Sequence, residues 1–270
     1  MLTVMMIGDV VGRPGRRMVT RYLPMLRQQL GLDLVVANGE NIAHGFGLTH
    51  KTVADLFTAG VDVITGGNHT WDKKEIVEIM AQHPQVLRPL NYPQDVAGEG
   101  CWVDAQKRLA VISLMGYGDM PQVDNPLRTL ENKITSLKDE GIEHIFIDFH
   151  AEYTAEKRTL CKAFEGYVSA ICGTHTHVGT DDLTITSGTV YVTDIGMTGC
   201  RDNVIGVESL QPIERMRTGI LSRFNVPEEC PSIFQAIVMT IDDHERRAYK
   251  IKVIDDMILK SQEVSVDDQL

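Results

Sequence analysis

Positive charge is what this sequence is short of. Its 26 lysines and arginines face 37 aspartates and glutamates, a formal net charge of -11 over 270 residues. Affinity for duplex nucleic acid comes from many phosphate neutralisations, which an acidic surface opposes, so no duplex nucleic-acid partner is expected. A small phosphate ester held by metal ions stays compatible, because the ions bring positive charge with them. Cysteine is sparse too: Cys101, Cys161, Cys172, Cys200 and Cys230 are odd in number and widely spaced, with no C-x-x-C. That pattern predicts five reduced thiols in a reducing compartment and argues against a disulfide framework or a thiolate metal site. No uncharged apolar run approaches the ~18 residues that a membrane span requires. The opening MLTVMMIGDVVGRPG has no basic stretch, and its apolar run stops at Asp9, so it reads as a core strand and not as a secretion signal. A cytoplasmic protein with no membrane partner is expected. Also missing are G-x-x-x-x-G-K-[ST], H-E-x-x-H, G-x-S-x-G and G-x-G-x-x-G, which removes the P-loop, zincin, serine-hydrolase and dinucleotide-binding readings.

What the sequence has is alternation. Short apolar runs rich in Val and Ile alternate with amphipathic stretches. Strands are expected at 4–8, 33–39, 62–67, 144–149 and 168–174 and over WVD and LAVISLM, and helices at 14–30, 49–59, 72–82, 125–140 and 154–164. Strands that are apolar throughout are those covered on both faces. The last third changes character. LTITSGTVYVTDIG reads as a hairpin turning at Ser187-Gly188, and SIFQAIVMTIDDHERRAYKIKVID as a second turning between Asp242 and Glu245. Between them, 204–229 reads as a surface helix and loop, and the polar tail after Ile258 is expected to fray. The expected fold class is α/β, a two-sheet β-sandwich core flanked by helices, in one domain spanning 1–270.

Five strand readings end in a residue able to bind a hard or borderline metal. VMMIG ends in Asp9, VVANG in Glu40, VITGG in Asn68, IFIDF in His150 and AICGT in His175. Ligands collect at the carboxyl ends of strands in α/β sheets. Loops begin there in every protein, but a random polar draw would include Lys, Ser, Thr and Gln; these five all offer oxygen or imidazole nitrogen. His175-Thr176-His177 adds a second imidazole, since residues i and i+2 of an extended segment face one side. Gly8, Gly39, Gly66, Gly67 and Gly173 suit close backbone approach to a crowded centre, though tight turns would use glycine as well. Seven ligand candidates, with Asn41 among them, exceed the needs of one catalytic ion that keeps an open position. Two ions ~3.5–4 Å apart are therefore expected. With no thiolate in the set, Fe or Mn is favoured, with Zn a third candidate.

GDVVG, NGEN, GGNHTWD, DFH and GTHTHVGTDD occur in that order, followed by DIGMTG at 194–199. Together they resemble the calcineurin-like metallophosphoesterase superfamily, and more closely its YmdB-like bacterial phosphodiesterase family, over nearly the whole chain. The resemblance implies a metallophosphoesterase-like αββα fold. It gives Asp9 and His177 to one metal, Asn68, His150 and His175 to the other, and Glu40 as the bridge. Two departures from the wider superfamily stand out: Val11 where a histidine is usual, and Glu40 where the bridge is usually aspartate. Asn41 is the natural replacement for the lost histidine and matches the YmdB-like pattern.

The expected reaction is attack on phosphorus by a metal-bridging hydroxide. His69, next to Asn68, would protonate the leaving alkoxide; the plainer alternative is a loop histidine packed near Trp71. Asp72 would either orient His69 or cap the following helix, with nothing in the sequence to choose between them. Arg13, Arg16 and Arg17 follow the Asp9 loop, where they would meet either a phosphate or solvent. His44 and His50 would line the mouth of the site, and His83, His144 and His244 the surface. By the resemblance, the substrates are small phosphodiesters such as 2′,3′-cyclic AMP. The alternatives are a regulatory or scaffold protein with incidental turnover, a nuclease acting on RNA, and a two-metal peptidase or amidohydrolase. Homo-oligomerisation is left open.

Overall fold

The computed structural model describes residues 1–242 and 245–267. The chain runs β1 (Leu2–Ile7), β2 (Asp9–Val10), α1 (Gly12–Leu30), β3 (Leu34–Asn38), α2 (His50–Ala59), β4 (Val63–Thr65), α3 (Ile76–Gln82), β5 (Cys101–Asp104) and β6 (Leu109–Met115). It continues through α4 (Pro126–Asp139), β7 (His144–His150), α5 (Thr154–Phe164), β8 (Ala170–Thr174), β9 (Thr184–Thr186), β10 (Thr189–Val192) and β11 (Met197–Cys200). It closes with α6 (Leu210–Thr218), β12 (Ser232–Ile241), β13 (Glu245–Ile254) and β14 (Met257–Asp267). Among the described residues no helix is long and apolar enough to cross a membrane.

One sheet is ordered β14-β13-β12-β1-β3-β4, with β2 and β11 attached, and the other β5-β6-β7-β8-β10-β9. The period-2 alternation of a strand explains the layering. In β1, Val4 and Met6 enter the core between the sheets with Val111, Phe146, Cys172 and Val190, while Met5 and Ile7 face Val19, Leu23 and Leu26 of α1. The second sheet does the same, turning Ala110, Ile112 and Leu114 toward Leu130 and Leu137 of α4 and Leu160 of α5. Both faces of both sheets are therefore covered, in four layers α/β/β/α, as the continuous apolar runs predicted. The parallel pairs β1/β3, β3/β4, β6/β7 and β7/β8 point their carboxyl ends the same way within each sheet.

Four expectations need correction. The tail does not fray over 259–267: Met257–Asp267 forms β14, antiparallel to β13 at the sheet edge, and 268–270 lie outside the described residues. The helix expected at 72–82 begins only at Ile76, because residues 69–75 turn back toward the site. The thiols are not all reduced, since Cys200 and Cys230 are joined by a disulfide. They are 30 apart in sequence, yet the end of β11 pairs with the start of β12, which brings their Cα atoms to 5.7 Å. Finally, His175 and His177 do not lie in an extended strand. β8 stops at Thr174, and both histidines have positive φ, 97° and 65°. The hairpin at Ser187-Gly188 forms as β9 and β10; the second forms as β12 and β13, with Asp243 and His244 of its turn outside the described residues.

Candidate metal centre

The expected ligands are delivered by strand ends. Asp9 opens β2, Glu40 and Asn41 follow β3, Asn68 follows β4, His150 closes β7, and His175 and His177 follow β8. Contacts between them join the two sheets. His150 Nε2 lies 3.2 Å from Glu40 Oε1, 2.9 Å from Asn68 Oδ1 and 3.1 Å from His175 Nδ1. Asp9 Oδ1 lies 3.8 Å from His177 Nε2 and 3.8 Å from His150 Nδ1. Glu40, His150 and His175 each present a ligand atom within 4.8 Å of the others, a grouping able to hold a metal ion. Gly67 keeps the approach open, because a Cβ there would collide with the Glu40 carboxylate and the His150 ring.

The hydrogen bonds behind two of the three imidazoles set their tautomers. Thr174 Oγ1 donates to Asp148 Oδ1 at 2.6 Å, so it can only accept from His150 Nδ1–H at 2.9 Å. The Ile205 carbonyl accepts from His177 Nδ1–H at 2.8 Å. Glu152 Oε2 lies 3.0 Å from His175 Nε2, on the outer side of that ring. In their neutral forms His150 and His177 thus present a lone pair on the inner Nε2, and His175 turns its Nδ1 to the same centre, 3.1 Å from His150 Nε2. Outer partners that orient metal-ligating histidines work in this way.

Protons cannot satisfy this centre. One ring nitrogen carries at most one hydrogen, yet three acceptors crowd His150 Nε2. Two more buried oxygens, Asp9 Oδ1 and Asn41 Oδ1, have no hydrogen-bond partner, and the Asn41 amide is oriented by its Nδ2 donating to the Gly45 carbonyl at 2.9 Å. Orphaned buried acceptors are costly unless something positive meets them. The donor set therefore fits cations.

Electrostatics say the same. Burial pushes Asp9 up to about 6, against the pull of His177 and His150. Burial would raise Glu40 as well, but the neighbouring His150 outweighs it and holds the carboxyl down at about 2. His150 is the reverse case: burial favours the neutral ring, and the Glu40 carboxylate overrides it, pushing the ring up to about 9. Burial and the charge of His150 press His175 down to about 3. Two desolvated carboxylates thus demand positive charge, which a proton on His150 meets only in part.

His69 sits at the rim. Its backbone N–H donates to Glu40 Oε2 at 2.9 Å, its ring meets Phe46 edge-on, and its Nδ1 lies 2.9 Å from Asp72 Oδ2. Asp72 lies four residues before α3, so of its two expected roles the structure carries the orienting one. A cavity of about 340 Å³ opens over the centre, lined by Glu40, Asn41, His69, His175 and His177 and by Arg215, Ser222, Arg223 and Phe224. A larger groove of about 1010 Å³ beside α1 is a different place. There Arg13, Arg16 and Arg17 pair with Glu228, Asp55 and Glu229 rather than awaiting a phosphate. His50 faces Glu78 at 3.6 Å, and His44 lines a separate pocket beside Arg13 and Arg16, so neither lines the cavity.

Several positioning residues were not anticipated. Asp148, buried in β7, takes hydrogen bonds from Thr174, Thr65 and Asn38 and so anchors the backing of His150. Its place inside the apolar run IFIDF was a readable signal. Glu152, Lys157 and Asp194 gave none that the strand-end pattern could use.

The model of the YmdB-like protein family matches residues 5–254. The chain belongs to the YmdB-like family. A Bacillus subtilis relative named 2′,3′-cyclic-nucleotide 2′-phosphodiesterase is 43% identical over 256 residues, covering 94% of this chain and 96% of that protein. A solved hypothetical protein from Thermus thermophilus superposes with a TM-score of 0.84 at 34% identity, over 99% of this chain and 100% of its own. A solved Mycoplasma pneumoniae protein described as a novel phosphatase gives 0.83 at 32%, over 98% and 93%. Like these relatives, this YmdB-like protein has the metallophosphoesterase fold, and it is a phosphoester hydrolase of the phosphodiesterase kind.

Proposed function

We propose that this chain is a two-metal phosphodiesterase of small phosphodiesters, with 2′,3′-cyclic nucleotides such as 2′,3′-cyclic AMP as its substrates. The observation that carries the metal reading is the set of inward donors: His150 and His177 oriented by Thr174 and Ile205, His175 turned to the same centre beside Glu152, and orphaned oxygens on Asp9 and Asn41. Asp9, Asn41 and His177 would hold one ion, Asn68, His150 and His175 the other, and Glu40 would bridge them. Fe or Mn suits this oxygen and imidazole set, with Zn the third candidate. The substrate class is supported by the name of the B. subtilis relative. The same reading treats 1–270 as one domain.

Bound ions would neutralise the phosphoryl oxygens and acidify a water. The chain's own part is positional. Asp72 takes the Nδ1 side of His69, leaving Nε2 to give a proton to the leaving alkoxide. Phe46 packs the ring edge-on and limits its rotation. Buried Asp148, acting through Thr174, aims the inner nitrogen of His150 inward, and the half-exposed Glu152 stands behind the His175 ring.

The test is metal analysis of the purified protein beside turnover of a panel of diesters, monoesters and amides. Two transition-metal ions per chain and preference for 2′,3′-cyclic AMP are expected. A metal-loaded protein that leaves every diester intact, or prefers amides, would defeat the proposal. Long RNA belongs in the panel at two ionic strengths: binding that falls steeply with salt would mark a phosphate-tracking groove and a nuclease.

A further inference from the structure

The connection 201–229, between β11 and β12, is pinned at its ends. Cys200 and Cys230 are bonded, and Arg201 N–H donates to the Pro231 carbonyl at 3.0 Å. Val226 fills the space left by the missing Cβ atoms of Gly12 and Gly45. Glu208 N–H donates to the Asn225 carbonyl at 2.7 Å, closing the middle into a loop. Nothing in α6 is buried, so the loop is not there to fill a core. What it does instead is wall the cavity over the centre with Arg215, Ser222, Arg223 and Phe224.

Among the described residues, the wall brings two arginines without a carboxylate partner over the centre. Arg13, Arg16, Arg17, Arg21, Arg201 and Arg217 all pair with carboxylates. Arg215 and Arg223 form no ion pair among the described residues, in a chain with net charge -11. The Arg215 guanidinium instead lies 5.6 Å from the Phe224 ring centroid, bracing it. A planar guanidinium suits paired phosphoryl oxygens, and an aromatic face takes any base by stacking. At about 340 Å³ the cavity is within the size range of small-ligand sites.

We infer that this loop is the nucleotide-reading wall of the site: Arg223 holds the phosphoryl oxygens, and Phe224, braced by Arg215, stacks on the base. The inference rests on the proposed phosphodiesterase reading and adds the residues that would make a nucleoside the preferred alcohol. Stacking without base-edge contacts predicts better turnover of purine than of pyrimidine cyclic nucleotides.

The experiment compares wild type, Phe224→Ala and Arg223→Ala on 2′,3′-cyclic AMP and on base-less ribose 2′,3′-cyclic phosphate, with metal content and Tm recorded. Phe224→Ala should lower kcat/KM for cyclic AMP about 10-fold or more, mainly through KM, and leave the base-less ester unchanged. Arg223→Ala should weaken both substrates about 10-fold, with metal content and Tm unchanged. Binding of adenosine 3′-phosphate should weaken in parallel. Variants within twofold of wild type in both turnover and binding overturn the inference. A metal-loaded wild type inert toward both esters would defeat the phosphodiesterase reading, and the adenosine 3′-phosphate binding data would still decide the role of the wall.

Discussion

Lys157 offers the sharpest test of how the centre is held. It projects from α5 with a side chain 1% exposed, and its Nζ donates to Asp194 Oδ2 at 2.9 Å and to the Thr174 carbonyl at 2.7 Å. Asp194, fully buried, also accepts from Thr176 N–H at 3.1 Å, from Thr176 Oγ1 at 2.8 Å and from Gly196 N–H at 2.8 Å. The pair therefore grips the residue between His175 and His177, whose left-handed backbones cost of order 1–3 kcal/mol each. Such strain persists only where neighbours over-determine it, and here Asp9 Oδ2 also accepts from His175 N–H at 3.1 Å. At 2.9 Å and an effective dielectric of ~20, the Coulomb attraction is about 6 kcal/mol, most of it offset by desolvation.

Lys157→Met keeps the length of the side chain but strands the carboxylate, and breaking a buried pair in this way costs about 3–5 kcal/mol. With an unfolding entropy of roughly 2.1 cal/mol/K per residue, the 270 residues convert that cost into a Tm loss of about 5–9 °C. Lys157→Met/Asp194→Asn should recover part of the loss, because no unpaired charge remains. Metal affinity should fall in the single variant, since the His175-Thr176-His177 bend is free to relax. Calorimetry on the single and double variants, followed by metal titration, checks this. A Tm loss under about 2 °C for Lys157→Met, with metal affinity unchanged, would refute the reasoning.

Glu40→Gln is nearly isosteric and should lower metal content and abolish hydrolysis while the fold survives; full activity with two metals bound would remove Glu40 from the centre. His69→Ala should retain both metals and lower kcat by about 10²–10⁴-fold on alkyl diesters, and by less on a p-nitrophenyl diester, whose leaving group needs no proton. Equal losses on both substrates would make His69 a positioning residue.

Much of this was legible because burial and chemistry left marks in the same places. Strands such as VVAN and IFID read as continuous apolar runs since both faces are covered, and the residues that end each run are the ligand candidates gathered at the centre. What was missed depends on contacts distant in sequence. The bend at His175 and His177 is imposed by Asp194 and Lys157, and the Cys200–Cys230 bond by the pairing of β11 with β12. In β14, MILKSQEVSVD reads as a solvated tail because an edge strand keeps charged residues to deter further pairing. Asp72 was ambiguous because one carboxylate can serve either a helix start or a histidine, and only the delayed start of α3 separates the two.

Net charge was the least informative quantity about the site, and the structure shows why. An overall charge of -11 argues about encounter with long polyanions, which sense the whole surface across a Debye length of ~8–10 Å. A single phosphodiester inside a cavity senses only what lines it. Along α1 the arginines are cancelled one by one by Glu228, Asp55, Glu229 and Asp256. Over the centre, Arg215 and Arg223 are left uncancelled, while Asp9 and Glu40 below them call for cations. On the proposed reading, an acidic exterior would disfavour long polyanions while a metal-loaded site lined by Arg215 and Arg223 would admit small esters, so the sign of the total and the sign at the site would serve one selection.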